Sequence, residues 1–141
     1  KGLGKEIIAI PYSDHGVDMY SNGILVTDDR IQGRPGEVKR FVRSINRGIA
    51  WSVEHPDAAT KMFIKYNGTV DPGLARKHWD IAVDHLLTLT SKKTGIGFMT
   101  QGKVRQTIDI VSKAFSMPRV PTPNEVYTNR FITKKIVPKR P

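Results

Sequence analysis

Side chains able to do chemistry crowd into one stretch, Tyr12-Ser13-Asp14-His15-Gly16-Val17-Asp18-Met19-Tyr20-Ser21-Asn22-Gly23. The phenols of Tyr12 and Tyr20 suit stacking on, or hydrogen bonding to, a flat polar molecule. Ser13, Asp14, Asp18 and Asn22 add hydroxyl, carboxylate and amide groups, so the stretch is rich in acceptors. Asp14, His15 and Asp18 could in principle form a metal site or an acid/base set, but their spacing matches no defined metal motif. In a turn such residues are commonly caps and hydrogen-bonding groups. The reading is therefore ligand contact, with no catalytic residue, metal site or cofactor expected.

Other chemistry-bearing residues read more plainly. His78 and His85 lie seven apart beside Asp84, without a third ligand nearby, and are expected as half-buried packing residues. Trp51 and Trp79 are expected to pack. Gly95-x-Gly97 is too short for a phosphate loop, and Asn67-Gly68-Thr69 fits the glycosylation triplet only in a secretory context.

The elements around the polar stretch follow from periodicity. Ile7-Ile8-Ala9-Ile10 leads into it and Ile24-Leu25-Val26 leads out, and short apolar runs bounded by Gly and Pro predict buried strands. Pro11 would close the first strand. Asn22-Gly23 would turn the chain into the second, Gly23–Thr27. Thr27 with Asp28 and Asp29 predicts a short helix start. From Pro35 the period becomes helical: Val38, Phe41, Val42, Ile45, Ile49 and Val53 form one stripe, with Lys39, Arg43 and Arg47 opposite. Pro56 and Asp71-Pro72 open two further helices, the first ending at Asn67-Gly68. The second carries a stripe of Leu74, His78, Ile81, Ala82, His85, Leu86 and Leu89. Ser91 to Gly97 reads as a loop. Thr100 caps a helix with Val104, Ile108, Val111 and Phe115 on its stripe, and Pro118, Pro121 and Pro123 forbid its continuation. A last turn is expected within Asn124–Phe131, before a frayed Lys- and Pro-rich end. Two short strands beside four helices leave a sheet without partners, which predicts that further strands lie outside this chain.

Length and composition bound the rest. The chain has 141 residues, 38% of them apolar, and no cysteine, which removes disulfides and thiol chemistry together. It opens on Lys1, which predicts a processed or partial chain. Twenty-three Lys and Arg against thirteen Asp and Glu give a net charge of +10. Such a charge draws a protein toward nucleic acid or anionic surfaces. Because the basic residues are spread along the chain, they are expected to be a solvated surface, with no nucleic acid as partner. A basic helical nucleic-acid-binding domain is the alternative reading.

The order of several segments resembles a known family. These are the polar stretch with Ile24-Leu25-Val26-Thr27-Asp28; then Val38-Lys39-Arg40-Phe41-Val42-Arg43, Gly48 and Trp51-Ser52-Val53-Glu54-His55-Pro56-Asp57-Ala58-Ala59; then Gly97-Phe98-Met99, Gln106-Thr107-Ile108-Asp109 and Val126-Tyr127-Thr128-Asn129-Arg130-Phe131. Together they are similar to the carboxy-terminal portion of bacterial ABC-transporter solute-binding proteins of the thiamine-precursor-like family. Relatives in that family bind sulfonates, taurine, nitrate or thiamine pyrimidines.

The resemblance implies a partial α/β, periplasmic-binding-protein-like type II fold, whose two lobes close on a small ligand and dock to a membrane permease. By it, residues 1–11 end the second lobe, 12–22 form the hinge crossing, and 23–141 belong mostly to the first lobe. The hinge positions Tyr12, Ser13, Asp14, Asp18, Tyr20 and Asn22 would border the ligand, while His15 stands where an aromatic is more usual. The resemblance also implies a periplasmic location and a non-enzymatic role. Apolar faces meant for the absent sheet would promote homo-oligomers. A branch of the superfamily makes the thiamine pyrimidine with an iron site and a cysteine-bearing motif. This Cys-free chain departs from that pattern.

Overall fold

The computed structural model describes Ile8 and residues 10–141. They divide into two compact units: Ile24–Phe98 with Asn129–Pro141, and the residues up to Gly23 with Met99–Thr128.

The first unit is helical, with α1 (Asp28–Gly33), α2 (Pro35–Glu54), α3 (Pro56–Tyr66), α4 (Pro72–Leu86) and α5 (Leu89–Thr94). Proline at the start of α2, α3 and α4 fixes φ where no intrahelical donor is needed. Arg30 and Arg34 both reach Glu37, at 3.0 and 3.2 Å, and tie α1 to the first turn of α2. Such exposed pairs contribute about 0–1 kcal/mol each, so they orient α1 more than they stabilise it.

The long helix α2 buries Val38, Val42, Asn46, Ala50 and Val53. Val38 and Val42 meet Phe131 from the C-terminal segment, with Val26, Ile31 and Ile132 packed around them. Phe41, expected on the buried stripe, is 55% exposed, and Ile45 is exposed beside it. The buried face is rotated toward Asn46, whose amide donates to the Ile96 carbonyl at 3.4 Å and so tolerates burial.

Asp71 caps α4, accepting from the backbone N–H groups of Gly73 and Leu74 at 2.7 and 3.1 Å. The buried residues of α4 are Ala75 and Val83, not the predicted stripe; His78 and His85 are exposed. The Trp79 indole N–H donates to the Ser52 carbonyl at 3.2 Å and joins α4 to α2. Asn67 ends α3 as expected, with its amide donating to the Phe63 carbonyl at 3.1 Å, but at φ −130° and ψ 74° it is not left-handed. The predicted loop from Ser91 is instead α5, because the Thr88 hydroxyl accepts from the Ser91 N–H at 3.1 Å and starts a helix.

The second unit holds α6 (Gln101–Ala114) and α7 (Pro123–Val126). Thr100 caps α6, which buries Val104, Ile108 and Ser112, while Phe115 stays exposed. The helix closes through a Met117 N–H to Ser112 carbonyl bond of 3.0 Å, with Ser116 in the left-handed conformation at φ 47°. The turn expected within 124–131 is α7, opened by a reciprocal Thr122–Glu125 cap. The Glu125 carboxylate accepts from the Thr122 N–H at 2.7 Å, from Arg119 at 2.7 Å and from the Thr122 hydroxyl at 2.8 Å. In that order these bonds lower its pKa from 4.5 to about 2. The cap's contribution is therefore complete above pH 4.5 and is lost as pH falls through about 2. A carboxyl-carbon NMR titration of Glu125 is expected to show it ionised at pH 3; a midpoint near 4.5 would mean that the cap does not form.

No β-strand forms among the described residues, which overturns the predicted α/β, type II sheet architecture. Ile7 and Ala9 of the first predicted strand lie outside the described residues. Ile8 and Ile10 are 85% and 70% exposed, and Leu25 of the second is 97% exposed. Residues 17–27 carry no regular structure. The physical reason is partnership: an extended run is a strand only if another strand takes its backbone donors and acceptors. Here Val26 alone of the second run packs into the core.

Candidate functional site

The polar stretch forms a short turn and then a ribbon laid on α6. Tyr12–His15 make one 3-10 turn after Pro11. Gly16, at φ 81°, ends it, with the Val17 N–H donating to the Tyr12 carbonyl at 3.0 Å. A residue with a β-carbon would resist that left-handed conformation. Tyr12, Ser13, Asp14 and His15 are all exposed on this turn, and the Ser13 hydroxyl donates to Asp14 at 3.3 Å.

Beyond the turn the ribbon is pinned. The Tyr20 backbone N–H donates to the Thr107 hydroxyl at 3.0 Å, and the Thr100 N–H donates to the Tyr20 phenolic oxygen at 3.0 Å. A phenol that accepts one bond still has its proton to give. The Lys103 ammonium donates to the Asp18 carboxylate at 2.5 Å and sits 5.3 Å from the Tyr20 ring centre. The pairing of cation with both carboxylate and ring is favourable on each count. Thr107 in turn donates to the Lys103 carbonyl at 2.8 Å.

Asp18 and Tyr20 are thus brought together with Thr100, Lys103 and Thr107, while Tyr12, Ser13, Asp14 and Asn22 stay exposed and outside this cluster. Sequence reasoning found the ribbon but missed Lys103 and Thr107. Thr100, the cap of α6, is followed at three and four by Lys103 and Thr107, which share one face of that helix. That spacing was the available signal.

Chemically, the turn and ribbon offer two carboxylates, two phenols, an amide and hydroxyls. This set accepts from a cationic or donor-rich group and stacks on a flat one. No group of three or more His, Cys, Asp and Glu able to hold a metal occurs among the described residues.

The first unit has an open depression of about 640 Å³ at the α2–α3 junction, where Val53 and Val83 lie beside Arg76, Asp57, Asp80 and Arg140. Arg76 bonds Asp57 and Asp80, and Arg140 bonds Asp84 at 2.5 Å and approaches Asp80 at 3.7 Å. Its cations are therefore already matched by carboxylates. No helix among the described residues is long and apolar enough to cross a membrane.

Compared with known proteins, residues 1–59 match the family model described as NMT1/THI5 like. The match spans the whole polar stretch, α1, α2 and the start of α3. That family includes ABC solute-binding proteins and thiamine pyrimidine synthases. No curated protein and no solved structure matches the chain.

Proposed function

We propose that this chain is the carboxy-terminal part of a bacterial solute-binding protein that serves an ABC importer from the periplasm. It binds a small polar organic molecule between two lobes, delivers it to a membrane permease and performs no chemistry on it. The observation that carries this reading is the NMT1/THI5-like match over residues 1–59, which contains every predicted contact residue. The ribbon supports it: Asp18 and Tyr20 are held by α6, while Tyr12, Ser13, Asp14 and Asn22 face solvent and are open to a ligand. The cysteine-bearing motif of the pyrimidine-forming branch is not among these 141 residues. Lobe closure requires a ligand that touches both lobes, so that its affinity differs between open and closed states.

The test is calorimetric titration of the full-length gene product with aminopyrimidines, alkylsulfonates and carboxylates. One of these classes is expected to bind at one molecule per chain. Tyr12→Phe with Asp14→Asn is expected to weaken it by roughly tenfold or more, since each change deletes one polar contact. Both residues are exposed, so the loss would report ligand contact and not misfolding. Absence of binding across the panel, or bound iron with turnover of a pyrimidine precursor, would overturn the proposal.

A further inference from the structure

Four of the 23 basic residues line one flank of α2: Lys39, Arg43 and Arg47 on the helix and Lys134 beside it. Lys39, Arg43, Arg47 and Trp51 follow one another at four-residue steps and are all exposed. At 1.5 Å per residue this row runs for roughly 18 Å. Lys134, from the C-terminal segment, joins Arg43, Arg47 and Trp51 around an open depression of about 470 Å³. Among the described residues, Lys39, Arg43, Arg47 and Lys134 have no carboxylate within ion-pair distance, whereas Arg30, Arg34, Arg76, Arg119 and Arg140 all do. Other cations, Lys92 and Lys93 on α5 included, are also without ion pairs among the described residues, but Arg43, Arg47 and Lys134 line one depression together with an aromatic ring.

That ring is held in place. Trp51 stacks on His55 with centroids 5.0 Å apart and planes at 16°, yet remains 38% exposed. The one carboxylate in the depression, Glu54, already accepts from the Lys139 N–H at 3.4 Å. It would repel a phosphate placed on it but can accept from the exocyclic amine of a base.

We infer that this flank of α2 binds single-stranded nucleic acid, with phosphates on Arg43, Arg47 and Lys134 and an unpaired base against Trp51. A repeating row of cations suits a repeating anion better than one phosphate. Every base has a stacking face, so one indole serves without sequence preference. A duplex keeps its bases stacked inside and could not use Trp51. A flat anionic bilayer would fit poorly to a concave depression containing Glu54. This inference does not rest on the transport reading, which uses the other unit.

The experiment is fluorescence anisotropy of a short labelled mixed-sequence oligonucleotide with the whole chain, across a salt series. The logarithm of affinity is expected to fall with the logarithm of salt at a slope of about −2, as three neutralised phosphates on a single strand imply. Arg43→Ala with Arg47→Ala should weaken binding at least tenfold at low salt and flatten that slope. Both positions are exposed on a helix, where alanine preserves the fold, as circular dichroism would verify. The charge-matched change Lys92→Ala with Lys93→Ala on α5 should cost no more than about twofold. Trp51→Leu should weaken binding roughly tenfold while Trp51→Phe keeps most of it, because a phenyl ring still stacks. Any of the following would overturn the inference: no binding at low salt, equal loss from the α5 control, or no effect of Trp51→Leu. So would equal affinity for adenosine monophosphate or for the duplex, or binding to phosphatidylserine vesicles without binding to the oligonucleotide.

Discussion

Gly95→Ala is expected to destabilise the chain by roughly 1–4 kcal/mol, lowering the melting temperature by several degrees. Gly95 has φ 92° and ψ 160°, a backbone region essentially reserved for glycine. A β-carbon there would also lie 3.0 Å from the Ile136 nitrogen, 3.2 Å from its oxygen and 3.2 Å from the Lys135 Cα. These are main-chain atoms and cannot swing aside as a side-chain tip would. Relief requires moving residues 135–136 away, which breaks the 2.9 Å bond from the Ile96 N–H to the Ile136 carbonyl. The conformational strain costs about 1–3 kcal/mol and the lost bond about 1. The stiffer unfolded chain offsets about 0.4–1 of that. Urea denaturation would check the sum, and a loss below about 1 kcal/mol would mean that the C-terminal segment does not close over Gly95.

Ile96→Ala is expected to cost about 2–5 kcal/mol, the range for truncating a buried aliphatic side chain without full collapse of the space. Ile96 is 1% exposed, and both its backbone groups are engaged, by the Ile136 carbonyl and the Asn46 amide. The surroundings are therefore held and cannot easily fill a cavity. Leu25→Ala is the internal comparison: this isomeric side chain, 97% exposed, should shift stability by no more than about 0.5 kcal/mol when truncated. Measured side by side, equal effects at the two positions would refute the packing described for the first unit.

That comparison also shows where the sequence misleads. Hydrophobicity made the Leu25 run look like a core strand, yet a strand exists only through partners elsewhere in a chain, and three or four apolar residues carry no information about them. Helices are different, since their hydrogen bonds close within four residues. Hence α2, α6 and the proline-led starts of α3 and α4 were legible from local pattern. What local pattern missed was which flank is buried. Phe41 falls on the apolar stripe and lies out, whereas polar Asn46 lies in, because its amide finds a carbonyl fifty residues away. The α5 helix was hidden by the Lys- and Thr-rich composition after its Thr88 cap. The polar stretch itself was legible as a cluster of residue types. Its anchoring was not: Lys103, Thr100 and Thr107 stand 80 to 87 positions from their partners.

The phenol of Tyr20 has a consequence for observing this anchoring. The N–H groups at the beginning of a helix lack carbonyl partners within it and ordinarily exchange freely with solvent. At Thr100 a side chain from far upstream occupies that place. Deuterium uptake at this one amide therefore clocks how often the tyrosine lifts away, giving a thermodynamic readout of ribbon release that needs neither a label nor a ligand.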